Sequence, residues 1–600
     1  MSHRKRCCTL FAALAGFALL ISGCGGGTPG NSGPSVPGFS FYLSLSTVAV
    51  FPGEPGTQVA INVARTTSKA AVIASVSGLP AGVTAQISSP GTGTVGSIAF
   101  QIPQAAIPAP GDYSLTVSME DGTSTVTQPL ALTVGVTAAV SSSPAGTWDE
   151  GMSTSFQIAE WTNGFFQQYP GSGSTPSAAS LLGNLGPQHT RMQILSQAIP
   201  ETAPNTWDFT MVDNQVQPIL GVGDHSPEFQ IATAPAFMYV KGTQQFIDPT
   251  FAQFAQYAAD LVRYYNKDGF MVNGTLYKSP SPYPITWWGI YNEPNLNGVS
   301  PQEYVQMYNA LVPAMQAVDP SLKFVAVELS DFGTEEQKFI PTFVQGVTAQ
   351  VDVLGTHFYS TCNQQSTDAQ IMASISTFVT GVKYLYSELA TNPALKNVPV
   401  WILENNVNAD YSDANGMSTC NPGQRFVTDL RGSDAFFAGW RSYEYAQLGQ
   451  AGAHALYQWS FDGDAQFGEF NSATGQLQLS YWVDYWLSHT FAAAPGGTQY
   501  SVQTTDMGDV DVLAVKETNG QTVVMVSDHG VASTDDNNGP GVPRTVLVDV
   551  SALGSFTSAQ EVTIDKNTNA QTGPVEQSVT PAGQMQVTLD GYGATFLVLQ

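Results

Sequence analysis

The chain has 600 residues, more than one hydrophobic core accommodates, so two to four domains are expected. Only 11% of the residues are charged and the formal net charge is −27, with no basic stripe, which argues against nucleic acid and strongly acidic glycans as partners. Sparse charge with abundant Gly, Ser, Thr, Asn and Gln suits an extracytoplasmic, β-rich protein.

In chain order, residues 1–24 read as a secretion signal. Arg4, Lys5 and Arg6 precede an apolar run from Leu10 to Ile21 that is too short to span a bilayer. The run ends in Ile-Ser-Gly-Cys (21–24), which resembles a bacterial lipobox. That resemblance implies Cys24 as the lipidated first residue of a protein anchored in the cell envelope, at the outer membrane or cell surface. An uncleaved anchor, or a signal cut elsewhere, is the alternative. Cys7 and Cys8 leave with the signal, so Cys362 and Cys420 remain, either as a disulfide between two loops or as separate thiols. No Cys or His spacing suits a metal, and no metal or cofactor is expected.

Residues 25–39 are Gly, Pro, Ser and Thr with little to bury, a flexible linker. From 40 to 137, short alternating runs such as Val-Ala-Ile-Asn-Val (59–63) and Tyr-Ser-Leu-Thr-Val (113–117) alternate with Pro-Gly turns, which predicts a β-sandwich. Its phrases at 77–83 and 111–117 resemble bacterial immunoglobulin-like modules. It reads as a spacer, with a carbohydrate-binding module as the alternative.

From 145 to 492 strand and helix patterns alternate. Candidate strands occur at 155–161, 190–195, 228–232, 285–291, 323–329, 351–359, 398–404 and 453–461. Between them, a stretch such as 251–265 puts Phe251, Phe254, Ala258, Leu261 and Tyr265 on one helical face. Eight strand–helix units predict an α/β fold, a (β/α)8 barrel with its site at the C-terminal strand ends. From 495 to 600 alternation returns, with a hairpin about Thr-Asn-Gly (518–520), which predicts a C-terminal β-sandwich packed on the barrel.

Two glutamates end buried-strand patterns: Glu293 in Trp-Trp-Gly-Ile-Tyr-Asn-Glu-Pro-Asn (287–295) and Glu404 in Trp-Ile-Leu-Glu-Asn (401–405). Facing carboxylates at the rim of a barrel suit glycosidic bond cleavage, one protonating the leaving oxygen and one attacking or stabilising the sugar cation. Both motifs resemble those of the clan A glycoside hydrolases, and Asn-Glu-Pro-Asn with a trailing sandwich is most similar to family 39, which includes β-xylosidases. The resemblance implies Glu293 as general acid/base, Glu404 as nucleophile and Asn292 as a partner of the sugar 2-hydroxyl. It also implies that His357 and Tyr359 at the end of strand six contact nucleophile and sugar, and that Trp459 floors the sugar ring. Core packing is the alternative for His357 and Trp459. Arg191 either holds the nucleophile ionised or makes an ion pair within the barrel. Glu160 and Trp161 close strand one and are candidates to line the sugar subsite.

The expected function is retaining cleavage of β-glycosidic bonds in neutral plant or microbial glycans, exo-acting and β-xylosidase-like. Endo-action on a β-glucan or xylan is the first alternative, and a non-catalytic glycan-binding surface lipoprotein the second. Oligomeric state is not readable.

Overall fold

The computed structural model describes residues 37–103, 107–148, 153–158, 164–186, 190–193, 195, 198–225, 227–331, 333, 336–491, 496–534 and 537–600. The signal, Cys24 and nearly all of the linker read at 25–39 lie outside the described residues. No described helix is long and apolar enough to cross a membrane.

Eight parallel strands close on themselves: β1 (Ser153–Ile158), β2 (Thr190–Met192), β3 (Glu228–Ile231), β4 (Trp287–Ile290), β5 (Lys323–Leu329), β6 (Val353–Thr361), β7 (Val400–Asn408) and β8 (Ala453–Trp459). All eight coincide with runs read from the sequence, because strands buried on both faces leave continuous apolar segments. Helices alternate with them: α1 (Ala178–Leu185), α2 (Thr210–Gly221), α3 (Ala252–Asn266), α4 (Pro301–Val318), α5 (Glu336–Gly346), α6 (Asp368–Leu389), α7 (Ala435–Gln450) and α8 (Leu479–His489). Phe254, Ala258, Leu261 and Tyr265 on α3 are buried against the barrel, as their spacing predicts. The helix α2 runs through Pro218.

The barrel interior is layered. Val325, Val353, Trp401, Leu403, Ala455 and Tyr457 form an apolar plug. Above it lie polar side chains, Arg191 from β2, Glu228 and Gln230 from β3 and Glu328 from β5, all fully buried. A plug of this kind raises the polar groups toward the strand C-termini, where such barrels carry their sites.

Residues 39–134 form two four-stranded sheets around one core that includes Phe41, Ile61, Ile98, Phe100, Val117 and Leu132. The strand Val136–Thr147 then leaves this module. It pairs antiparallel with Thr498–Thr504 and parallel with Arg544–Asp549, third from one edge of a nine-stranded sheet. This corrects the boundaries read from the sequence, which ended the module at 137, began the barrel at 145 and confined the last unit to 495–600. Pairing partners hundreds of residues away leave no local trace. The hairpin read at 518–520 is present, Val510–Lys516 against Thr522–Asp528.

The two faces of this sheet serve different cores. Val512, Ala514, Val524, Val526 and Leu597 pack with Val136, Val546 and Val587. Leu513, Val515, Val523, Met525 and Phe596 join the outer core of the barrel. On α7, a side chain at Gly439 would collide with Asp528 O, so glycine sets how closely helix and sheet approach.

Candidate active site

The backbone first brings Glu293 to the rim. After β4, Tyr291 (φ 67°) and Glu293 (φ 42°) adopt the left-handed region, which costs a non-glycine residue about 1 kcal/mol or more. Amide bonds hold this bend: Asn292 N donates to Ala232 O and Glu293 N to Glu328 O, both at 3.1 Å. Pro294 follows and cannot extend the ladder. The carboxyl of Glu293 keeps about a fifth of its surface exposed (21%).

Glu404 arrives by a different device. On β7, Trp401 and Leu403 face the apolar plug, so strict alternation would turn Glu404 outward. The pairing with β6 slips by one residue here, from Thr356↔Ile402 to His357↔Glu404. This bulge turns the consecutive Leu403 and Glu404 both inward. Asn405 faces the helices instead, where it bonds Glu444 (2.9 Å) and Arg441.

One oxygen of each glutamate and a ring nitrogen of His357 lie within 4.8 Å of one another. His357 Nδ1 is 3.0 Å from Glu293 Oε1 and 3.5 Å from Glu404 Oε2. Burial pushes this imidazole down to about 3, so the ring is neutral and, facing two carboxyls, carries its proton on Nδ1. The resemblance led us to expect His357 against the nucleophile; it bonds the other glutamate more closely. The trio is the one group of described His, Cys and carboxylate side chains near enough to hold a metal ion. Its hydrogen-bonded contacts suit proton transfer equally, and we assign it no metal.

Glu404 accepts two hydrogen bonds. Arg191 Nη1 donates to Oε1 at 2.9 Å, Tyr359 OH donates to Oε2 at 2.9 Å, and the His357 ring stands beyond. Arg191 also bonds Glu328 (2.8 Å) and Asn292 Oδ1 (3.0 Å). It therefore pairs with Glu404 and also makes an ion pair deeper within the barrel. Asn292 Oδ1 accepts from Gln230 as well (3.0 Å), which leaves the amide hydrogens of Asn292 for a ligand. Burial pushes Glu293 up to about 7, against the Arg191 charge and with help from Asp331.

These groups open into a cavity of about 550 Å³ that Trp459, Tyr411, Phe467, Leu296 and Asp331 help to line. Among the described residues its lining includes no Lys or Arg. Cys362 and Cys420 also line it and are joined by a disulfide, with Cα atoms 5.7 Å apart. Of the candidates read from the sequence, Asn292, Glu293, His357, Tyr359, Arg191, Glu404 and Trp459 converge here. Glu160 and Trp161 lie outside the described residues. Glu228, Glu328, Gln230, Asp331 and Tyr411 escaped the sequence reading. A lone acid inside the apolar run Phe-Val-Ala-Val-Glu-Leu (324–329) was the available signal for Glu328.

Residues 210–375 match the family model described as "Alpha-L-arabinofuranosidase 1 domain". That span holds Glu293, His357 and Tyr359, and stops before Glu404. The barrel is that of a glycoside hydrolase. Among solved structures, a GH51 arabinofuranosidase from Xanthomonas axonopodis pv. citri is 12% identical with TM-score 0.56, the match covering 78% of this chain and 100% of that one. A monomeric beta-xylosidase from Caulobacter crescentus is 14% identical with TM-score 0.55, covering 77% and 99%. The GH39 enzyme from Xanthomonas axonopodis pv. citri is 14% identical with TM-score 0.53, covering 77% and 97%. No curated protein matches the hydrolase chain in sequence.

Proposed function

We propose that the hydrolase cleaves glycosidic bonds with retention, Glu293 serving as acid/base and Glu404 as nucleophile. The observation that carries this reading is the closeness of the two carboxyls, one oxygen of each lying within 4.8 Å of the other. Double displacement needs roughly 5–5.5 Å, whereas inversion needs roughly 6.5–9.5 Å to admit a water. In the first step Glu404 attacks the anomeric carbon while Glu293 gives its proton to the departing oxygen. The product is an ester between Glu404 and the sugar. Glu293, now a carboxylate, takes a proton from water, and the oxygen of that water attacks the same carbon and releases Glu404.

The groups around the pair fit these roles. A carboxyl pushed up to about 7 still holds a proton to donate near neutrality. Arg191 and Tyr359 leave Glu404 oriented by two hydrogen bonds at 2.9 Å. Once Glu404 is an ester, the charge of Arg191 is freed to stabilise Glu293 as the base. Asn292 offers its amide hydrogens to the sugar 2-hydroxyl, and Trp459 an indole face to the ring.

The substrate class follows from the walls. A cavity of about 550 Å³ closed on one side by Tyr411 and the disulfide suits the end of a glycan chain. A lining without Lys or Arg suits neutral sugars. The neutral pentosides are therefore first in line, β-xylosides or, following the matched family model, α-L-arabinofuranosides. Cys24 would tether the enzyme by lipid to the outside of a bacterial envelope, with the N-terminal module as spacer.

The test is a panel of aryl xylosides, arabinofuranosides, glucosides, galactosides and mannosides with wild type and Glu404→Ala. We expect one pentoside to be cleaved, activity lost by about 10³-fold or more in the variant, and partial rescue by azide with inverted product. Folded wild type inert toward every aryl glycoside, xylan and glucan would overturn the reading in favour of a glycan-binding role.

A further inference from the structure

Three carboxylates surround one guanidinium in the barrel interior, and the mechanism uses only one of them. Arg191 stands 2.9 Å from Glu404, 2.8 Å from Glu328 and 3.8 Å from Glu228. Were all four ionised, two negative charges would be left over in a fully buried layer, the costliest state available there. Counting donors shows where the imbalance sits. Glu328 Oε2 accepts from Arg191 Nε (3.2 Å), Arg191 Nη2 and Gln230 Nε2. Among the described residues Glu328 Oε1 has no hydrogen-bond partner, and neither has either oxygen of Glu228.

The unpartnered oxygens border the same small space. A side chain added at Gly289 on β4 would collide with both Glu328 Oε1 and Glu228 Oε1. The glycine thus keeps open the small space the two oxygens border. An acceptor without a donor beside a carboxyl without any donor is the pattern of a missing hydrogen atom.

We propose that Glu228 is a neutral carboxylic acid whose proton is shared with Glu328 across Gly289, and that this pair governs how much of the Arg191 charge reaches Glu404. The layer then carries one positive charge on Arg191 and two negative charges, on Glu328 and Glu404. Burial raises both Glu228 and Glu328 above the ordinary carboxyl range, and for Glu328 the charge and hydrogen bonds of Arg191 offset part of it. A further titratable group beside Glu328 is Tyr304 of α4. Its hydroxyl is engaged with Ile290 O and Val327 N and does not supply the missing donor. Glu228 and Glu328 are positioning residues: they act on the chemistry through Arg191.

The second half of the proposal rests on Glu404 as nucleophile; the shared proton does not. Two measurements keep them apart. The infrared difference between wild type and Glu228→Gln at neutral pH should show a protonated-carboxyl C=O band present only in wild type. A difference without that band overturns the shared proton, whatever the enzyme hydrolyses. Second, Glu328→Gln frees Arg191 for Glu404 alone, so the acid limb of the pH–kcat/KM profile should move to lower pH by about one unit. Glu228→Gln, which supplies an N–H where the carboxylic acid supplied an O–H, should keep that limb where wild type has it. A limb that moves in Glu228→Gln as in Glu328→Gln means that Glu228 was ionised, and the proposal fails. Thermal unfolding establishes that each variant is folded, and if Glu328→Gln is not, the infrared difference alone decides.

Discussion

Glu293 is held in a state that serves proton donation at the expense of the fold. Its value of about 7 in the folded protein lies above the ordinary 4.5, with burial as the first cause. The folded state therefore binds this proton more tightly than the unfolded one. Its stabilising effect is complete below about pH 4.5 and is lost as pH rises through about 7. Glu293→Gln should leave the melting temperature nearly unchanged at pH 4. At pH 8 it should raise stability by up to about 3 kcal/mol, while abolishing cleavage of poor leaving groups. In wild type, kcat/KM should fall on the alkaline side near pH 7, and this limb should vanish in the glutamine variant on an activated aryl substrate. An alkaline limb unchanged in Glu293→Gln would remove this residue from the acid role. The identity of the two glutamates was legible because each ends a recognisable strand pattern. Arg191, 213 positions from Glu404, was weighed as its partner from its place on strand two; Glu228, Gln230 and Glu328 behind it were not, because nothing local announces what that guanidinium meets inside the barrel.

At the scale of elements, the loop after β7 forms one wall of the cavity. Asp410, buried, accepts from Ser418 Oγ (2.6 Å) and Cys420 N (3.0 Å), so the loop folds back upon its own start. The disulfide to Cys362 and the bond from Asn421 Nδ2 to Cys362 O (2.9 Å) tie it to the end of β6. Closing a loop of 58 residues is worth about 4 kcal/mol in the chain-entropy account. Cys362→Ser with Cys420→Ser should lower the melting temperature and raise KM for the aryl glycoside, while kcat holds because Glu293 and Glu404 keep their own supports. A fall in kcat with KM unchanged would mean that the loop orders the catalytic groups themselves. Here the sequence reading saw two cysteines in loops on one face of a barrel. It expected them to pin two loops of the site; it could not see the bond from Asn421 or the folding of the loop upon Asp410, which depend on how two strand ends approach.

At the scale of the molecule, the C-terminal sheet is bound to the barrel through more than apolar contact. Asp368 at the start of α6 accepts from Arg431 Nη1 (3.0 Å) and from the backbone of Asn538 and Gly539 (2.8 Å each). Arg431 in turn holds the carbonyls of Gln364 and Ser366, in the segment that follows Cys362. The strand Val136–Thr147 completes the same sheet, and Trp148 behind it is buried against Tyr445 and Phe491. Two truncations separate module from sheet. A chain starting at Gly135 loses an independent core and should keep the melting transition of the barrel and its activity. A chain starting at Asp149 loses the strand that joins Thr498–Thr504 to Arg544–Asp549, together with Trp148, and should unfold at lower temperature or aggregate. Equal behaviour of the two would mean that the strand adds nothing to the sheet.

By itself the sequence determined the eight strand–helix units, the two glutamates that follow the apolar runs of strands four and seven, although β7 runs on past Glu404 to Asn408, and the hairpin near the C-terminus. Each is written in local patterning, where a run of apolar residues or a turn dipeptide reports the burial of its own segment. Only the tertiary structure decided that a bulge turns Glu404 inward beside Leu403, that three glutamates share Arg191, and that residues 136–147 belong to a sheet formed mostly after position 498. Register, shared charge and strand recruitment are properties of pairs of segments, set by how distant surfaces fit once packed, so no single stretch of chain encodes them.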